Sequence, residues 1–217
     1  MRRFLFIDAS GDEGLVSVGG STHYVVGAVE LAERPLDESR RLLSAIRHLM
    51  ELHREMKASG LTPGNRPRVK SCVALCEMIE QGHAYASVVV VNKSTYVGPY
   101  LGHKFRPKPD YFRNYTIRRL LERHLAKWPL AASDSLELVF DRFTMTGATL
   151  TNLEVYLAGN WGLPPLEAIV HADSRYVDPL FWPDLLVTVV KEAVTGTPGT
   201  GDQARLCALV PTHALLR

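Results

Sequence analysis

Cysteine is scarce in this chain: three residues in 217, an odd number with no paired spacing. That excludes a disulfide-built fold and points to a reducing, cytoplasmic setting. Charge of one sign is lacking too. Lys and Arg number 25 against 23 Asp and Glu, a formal net charge of +2. No global basic field exists, so any affinity for nucleic acid must come from a local patch. Long apolar runs are missing, which excludes a membrane-spanning helix. The N-terminus enters a strand directly, without the apolar segment and small-residue cleavage site of a signal peptide. Internal repeats and low-complexity tracts are likewise absent. What remains is a globular composition, 46% hydrophobic and 22% charged, and a length that suits one domain over residues 1–217 with a sizeable core.

The chain alternates strands and helices. Arg3 to Ile7 is a short apolar run that ends in Asp8, followed by Ala9-Ser10-Gly11-Asp12-Glu13-Gly14, and it reads as a buried strand and turn. Thr22 to Leu31 is a second strand, joined through Gly19-Gly20 in a hairpin-like, antiparallel connection. Pro35 to Lys57 has helical spacing of leucines, with Asp37 and Glu38 in its first turn. A shorter helix over Val69–Gln81 precedes a β-branched strand over His83–Asn92, which Lys93 follows. Tyr111–Trp128 is helical. Leu136–Phe140 is a fourth strand and ends in Asp141. Thr149–Gly159 is a helix, and Leu166–His171 a fifth strand running into Ala172-Asp173-Ser174. Asp178 as N-cap and Pro179 as first helical residue open a helix to Val194. Gln203–Arg217 is a tail, helical in part. The pattern predicts an α/β fold, a mixed sheet of about five strands flanked by helices.

Several strand ends carry an acid: Asp8, Asp141 and Asp173. If strands one, four and five are parallel neighbours, these acids converge on one sheet edge, where open α/β sheets place their chemistry. Asp184 lies near the start of the helix that returns to that edge, and Glu55 near the end of the first long helix. Carboxylates gathered in this way stay ionised together only when cations hold them. Oxygen-rich sites of this kind select Mg²⁺ or Mn²⁺, and a pair of such ions serves phosphoryl displacement. The competing reading is that these acids are turn caps and surface charges scattered over the fold.

The order of these motifs resembles the domain-of-unknown-function 3800 family, which has an RNase H-like fold. Asp8-Ala9-Ser10-Gly11 matches that family's first strand end, Asp-Glu-Ser-Gly. Glu55-Met56-Lys57 matches its Glu-x-Lys element. Lys93 after the third strand, Asp141 after the fourth, His171-Ala172-Asp173-Ser174, and Asp184 on the following helix complete the series. The match spans residues 3 to about 194. It implies a nuclease-type site in which Asp8, Glu55, Asp141 and Asp184 are both metal ligands and catalytic groups for Mg²⁺ or Mn²⁺. Ser10, Lys57, Lys93 and Asp173 would be close supports. The implied partner is RNA or DNA. Ala9 stands where the family has Glu, Phe181 where it has Gln, and Pro183 where it has Ala. A catalytically degenerate nucleic-acid- or protein-binding module of the same fold is therefore the alternative.

Other residues admit a role beside that site. Asp12 lies in the first turn, and His171 is placed for proton transfer or for merely ending a strand. Lys104, Arg106 and Lys108, in a loop interleaved with Tyr96, Tyr100 and Phe105, could track a phosphate backbone while rings stack on bases. Their alternative is a solvated loop. Cys72 and Cys76 share a helix face, but no histidine stands at zinc-ligand spacing, which favours buried thiols.

Overall fold

In a computed structural model, β1 (Arg2–Ser10) is the strand on which the sheet is built. It pairs antiparallel with β2 (His23–Ala32), and β2 pairs antiparallel with β3 (Ala84–Asn92). On its other side β1 runs parallel to β4 (Ser135–Asp141), and β4 parallel to β5 (Ala168–Ala172). A sixth strand, β6 (Thr212–Leu215), joins β3 in parallel and completes the order β5-β4-β1-β2-β3-β6. The structure describes residues 2–32, 36, 37, 39–41, 43, 44, 57, 58, 61–101, 108–141, 147–159, 166–197 and 199–215.

The period of two along each strand sorts the core onto two faces. Phe6, Val25, Val29, Val88 and Val139 face helices α1 (Arg66–Glu80), α4 (Phe181–Val194) and α5 (Gly201–Leu209). Leu36 and Leu43, both helical in conformation, join that side. Leu5, Ile7, Val26, Val89, Leu138 and Phe140 face α2 (Pro109–Lys127) and α3 (Gly147–Ala158). The result is a mixed sheet between two helical layers, as the alternating pattern predicts. β1, β4 and β5 are parallel neighbours, so their C-terminal ends share one edge.

Local differences from the sequence reading have physical causes. The tail forms α5, closed by a capping box between Thr200 and Gln203, and then β6. β6 is four residues long with partly polar flanks, too short for a strand signal. Helix α1 begins at Arg66 because the Asn65 side chain accepts the Arg68 N–H at 3.0 Å and Pro67 suits the first turn. Before α4, a 3₁₀ turn over Asp178–Leu180 takes up Pro179, and the α-helix starts only at Phe181. Pro183 thus falls in the first turn, where an N–H has no intrahelical acceptor, so the proline breaks no bond. Most of the Pro35–Lys57 helix lies outside the described residues.

Candidate active site

Asp8 sits near the C-terminal end of β1 on the α4 face, 6% exposed. Its register partner on β2 is Gly27. A Cβ built on Gly27 would lie 2.7 Å from Val187 Cγ1, so the missing side chain is what lets α4 settle on β2 here. Asp184 is three residues before Val187, on the same side of the helix, and that close approach carries it toward Asp8.

Burial pushes the Asp8 carboxyl up to about 7, and the nearby charges of Asp184 and Asp141 push in the same direction. The Ala9 N–H, donating to Asp8 Oδ1 at 2.8 Å, and the Lys57 ammonium act against them. Three of the four expected acids therefore act on one another at one sheet edge. The fourth, Glu55, lies outside the described residues.

Residues 57 and 58 stitch this cluster together. Lys57 Nζ donates to Asp141 Oδ2 at 2.7 Å and to Ser174 Oγ at 3.2 Å. The Ala58 N–H donates to Asp184 Oδ2 at 2.7 Å. The Ser174 N–H donates to Asp141 Oδ1 at 3.2 Å. Ser174 was not among the candidates, although it directly follows Asp173; the signal was its position one residue past a strand-end acid.

The remaining candidates divide by location. Ser10 ends β1, partly buried, on the Asp8 face. Asp12 stays in the loop after β1. Burial works against its ionised form, but N–H groups of Ser21 and Gly14, the Ser21 hydroxyl and Lys93 hold its carboxyl well below the usual range. Lys93, implied by the resemblance as a close support of the site, is turned to a different task. Its side chain is 1% exposed, and Nζ donates to the carbonyls of Asp12 and Gly14 at 3.0 and 2.7 Å and to Asp12 Oδ1 at 3.2 Å. An ammonium so enclosed holds the β1 turn.

Asp173 accepts from Arg175 Nε at 2.9 Å and from the Arg175 N–H at 3.0 Å, closing its own turn. His171, for which proton transfer and a mere strand end were the two readings, stacks on Phe140 with centroids 5.6 Å apart, on the α2/α3 face. β-strand alternation puts it across the sheet from Asp8, and burial lowers its pKa. Lys108 precedes α2 with Nζ 5.0 Å from the Tyr111 ring centre. Lys104 and Arg106 lie outside the described residues. Cys72 and Cys76 are core thiols, pushed up to about 12 and about 11 by burial.

A divalent ion is what the family resemblance implies at these acids. The donor chemistry fits, since the three carboxylates are hard oxygen ligands gathered around one ammonium, that of Lys57. The geometry is not that of a finished ion cage: among the described residues no group of three or more His, Cys, Asp or Glu is placed to hold a metal. Beside the cluster the 173–176 turn presents Tyr176, 81% exposed, with the Arg175 guanidinium 5.7 Å from its ring centre. A cavity of about 340 Å³, lined by Phe4, Phe6 and Val139 and also by Asp37, Arg40 and Glu137, includes none of the three acids. Among the described residues no helix is long and apolar enough to cross a membrane.

No family model matches the chain, and no curated protein matches it. Among solved structures it is similar to the crystal structure of the ribonuclease H2 from Pyrococcus horikoshii OT3, at 10% sequence identity and a TM-score of 0.48, over 89% of this chain and 74% of that one.

Proposed function

We propose that this protein is a divalent-metal-dependent nuclease that hydrolyses phosphodiester bonds of RNA or DNA. The observation that carries the reading is the buried Asp8 at a strand end, whose carboxyl is pushed up to about 7 by burial first and by the charges of Asp184 and Asp141 after it. Negative charge concentrated in a low-dielectric edge is a disadvantage to the fold unless a cation uses it. Asp8, Asp141 and Asp184 are the residues that would hold Mg²⁺ or Mn²⁺. The ion, when bound, supplies positive charge at the scissile phosphate and makes a water more acidic.

The chain's own residues do the rest. Ala9 N–H and Ala58 N–H orient the carboxylates of Asp8 and Asp184. Ser174 orients Asp141. Tyr176 offers an exposed ring on which an unpaired base can stack, and Lys108 a charge for the phosphate backbone.

The test is cleavage of single- and double-stranded RNA, DNA and hybrids with Mn²⁺, by wild type and by Asp8→Asn. Loss of a group that merely orients a ligand costs about 10–100-fold, so removing the central carboxylate is expected to cost at least about 100-fold. No cleavage of any substrate, or equal cleavage by both proteins, overturns the reading.

A second reading is favoured by one contact. Lys57 already pairs with Asp141, as a binding module with a degenerate site would allow. That reading expects gel-shift binding without cleavage, unchanged in Asp8→Asn.

A further inference from the structure

The sheet face that carries Asp8 and Asp141 continues below them. Register pairs Phe6 with Val139, and Val139 with Val170. Two residues further along these strands, on the same face, stand Asp8, Asp141 and Ala172, and Asp141 and Ala172 are register partners. The two rows are only about 7 Å apart. The cavity of about 340 Å³ lies on the first row: Phe6, Val139 and Val170 line it, with Phe4 beyond them and Ala172 at the acid end. Val170 is 39% exposed, so this floor opens to solvent. Floor and acid edge are one continuous surface, short enough for a single nucleotide to span both.

The lining indicates what fits. Phe4 and Phe6 present rings with centroids 6.5 Å apart and planes 25° apart. Asp37 and Arg40, also in the lining, lie 3.4 Å from each other and supply an acceptor and a donor side by side. Glu137 is engaged by Arg2. Among the described lining residues the carboxylates therefore have arginine partners, and a flat, neutral ring with polar edges meets them without displacing a charge. A volume in the range of about 300–1,000 Å³ is that of a small-ligand pocket. Ring and apolar surface with a few polar groups at the edge is how proteins take up a base that has left its stack.

We propose that this cavity seats one unpaired nucleobase of the strand whose phosphate lies at the acid edge. The proposal rests on the nuclease reading above and specifies its substrate: the strand is unpaired at the point of cleavage, because a paired base would have to give up its partner to enter. Tyr176, next to the lining residue Val177, is placed for the neighbouring base.

The experiment measures binding of a short single strand, made as RNA and as DNA, with a chelator present so that no cleavage competes. The comparison ligands are the same backbone built from abasic residues, the fully paired duplex and a free nucleoside monophosphate. The proteins are the full-length wild type and Ala172→Leu, which fills the acid end of the cavity without adding a ring, each checked for folding by its thermal transition. Wild type is expected to bind the intact strand at least about 10-fold more tightly than the abasic backbone, the scale of one stacked base, and more tightly than the duplex. Ala172→Leu is expected to lose most of that difference. If it fails to fold, Val170→Leu replaces it with the same expected loss. Equal binding of strand and abasic backbone, a duplex bound as tightly as the strand, no binding of any ligand, or a base dependence that the filled cavity keeps overturns the base seat and leaves the nuclease reading to its own cleavage test. A monophosphate bound as tightly as the strand overturns it in favour of a free-nucleotide pocket. Base-dependent binding lost in Ala172→Leu, together with no cleavage by wild type, overturns the nuclease reading and supports the seat.

Discussion

Arg3 and Asp8 stand five residues apart on β1, about 17 Å along a strand and on opposite faces of the sheet. Both are buried, 8% and 6% exposed. Their surroundings differ in one respect. Arg3 donates to both oxygens of Glu30 at 2.7 Å and to the carbonyls of Trp128 and Pro129. Glu30 also meets His124 Nε2 at 3.0 Å, and His124 Nδ1 meets the Ser87 hydroxyl at 2.9 Å. Burial alone would raise the Glu30 carboxyl, yet His124 and Arg3 bring it below its ordinary value. At the Asp8 end, one ammonium faces three carboxylates, and the buried acid is raised. Two buried charge clusters on one strand thus have opposite characters. One is closed and balanced, and serves the fold. The other is under-compensated, with more carboxylates than cations.

The largest effect expected from breaking this contrast is at the balanced end. Arg3→Met leaves Glu30 buried with less than its full set of partners and should cost about 3–5 kcal/mol in urea unfolding. Replacing Arg3, Glu30 and His124 together by apolar residues of similar volume should cost far less, because no charge is left stranded.

At the other end the sign reverses. Asp8 titrates at about 7 in the fold against an ordinary 3.8. Between those values the folded chain holds the proton more tightly than the unfolded one, so stability falls as pH rises through that window and levels off above it. At about 1.36 kcal/mol per unit, Asp8→Asn should be more stable than metal-free wild type by up to roughly 4 kcal/mol at pH 8. The two should converge near pH 4, as followed by chemical denaturation across that range. A wild-type profile parallel to that of Asp8→Asn would show that the cluster is neutralised from within.

A smaller effect sharpens how the cluster is assembled. In Gly27→Ala the new methyl meets Val187, and overpacking of this kind costs about 1–3 kcal/mol. It should also weaken Mn²⁺ binding by moving Asp184 away from Asp8. Adding Val187→Ala should restore both the melting temperature and the metal affinity.

Much of this was legible in the chain. The β-branched run before Asn92, the apolar run before Asp141 and the five-residue step from Arg3 to Asp8 each follow local rules, and so does the α/β alternation. The convergence of Asp8, Asp141 and Asp184 was legible only as a condition, that strands one, four and five be parallel neighbours. Lys93 and His171 show where reading by position fails. Both adjoin strand ends in the right order. A one-residue change of parity puts His171 on the far face, and a turn only its glycines permit gives Lys93 three nearer acceptors. Gly11, at φ 101° and with a would-be Cβ 2.4 Å from the His23 carbonyl oxygen, is what allows that turn. Ser174 escaped notice because its importance lies in a main-chain N–H, which every residue but proline carries.

By itself, then, the sequence determined the elements, their α/β order and the acids at the strand ends, because periodicity, turn residues and helix caps act over a few neighbouring residues. The tertiary structure alone decided which charges meet. Lys57 reaches Asp141 across 84 residues of chain and Ala58 reaches Asp184 across 126. Whether a buried acid is balanced, like Glu30, or raised by burial and by neighbouring acids, like Asp8, depends on contacts of that range, which no local pattern encodes.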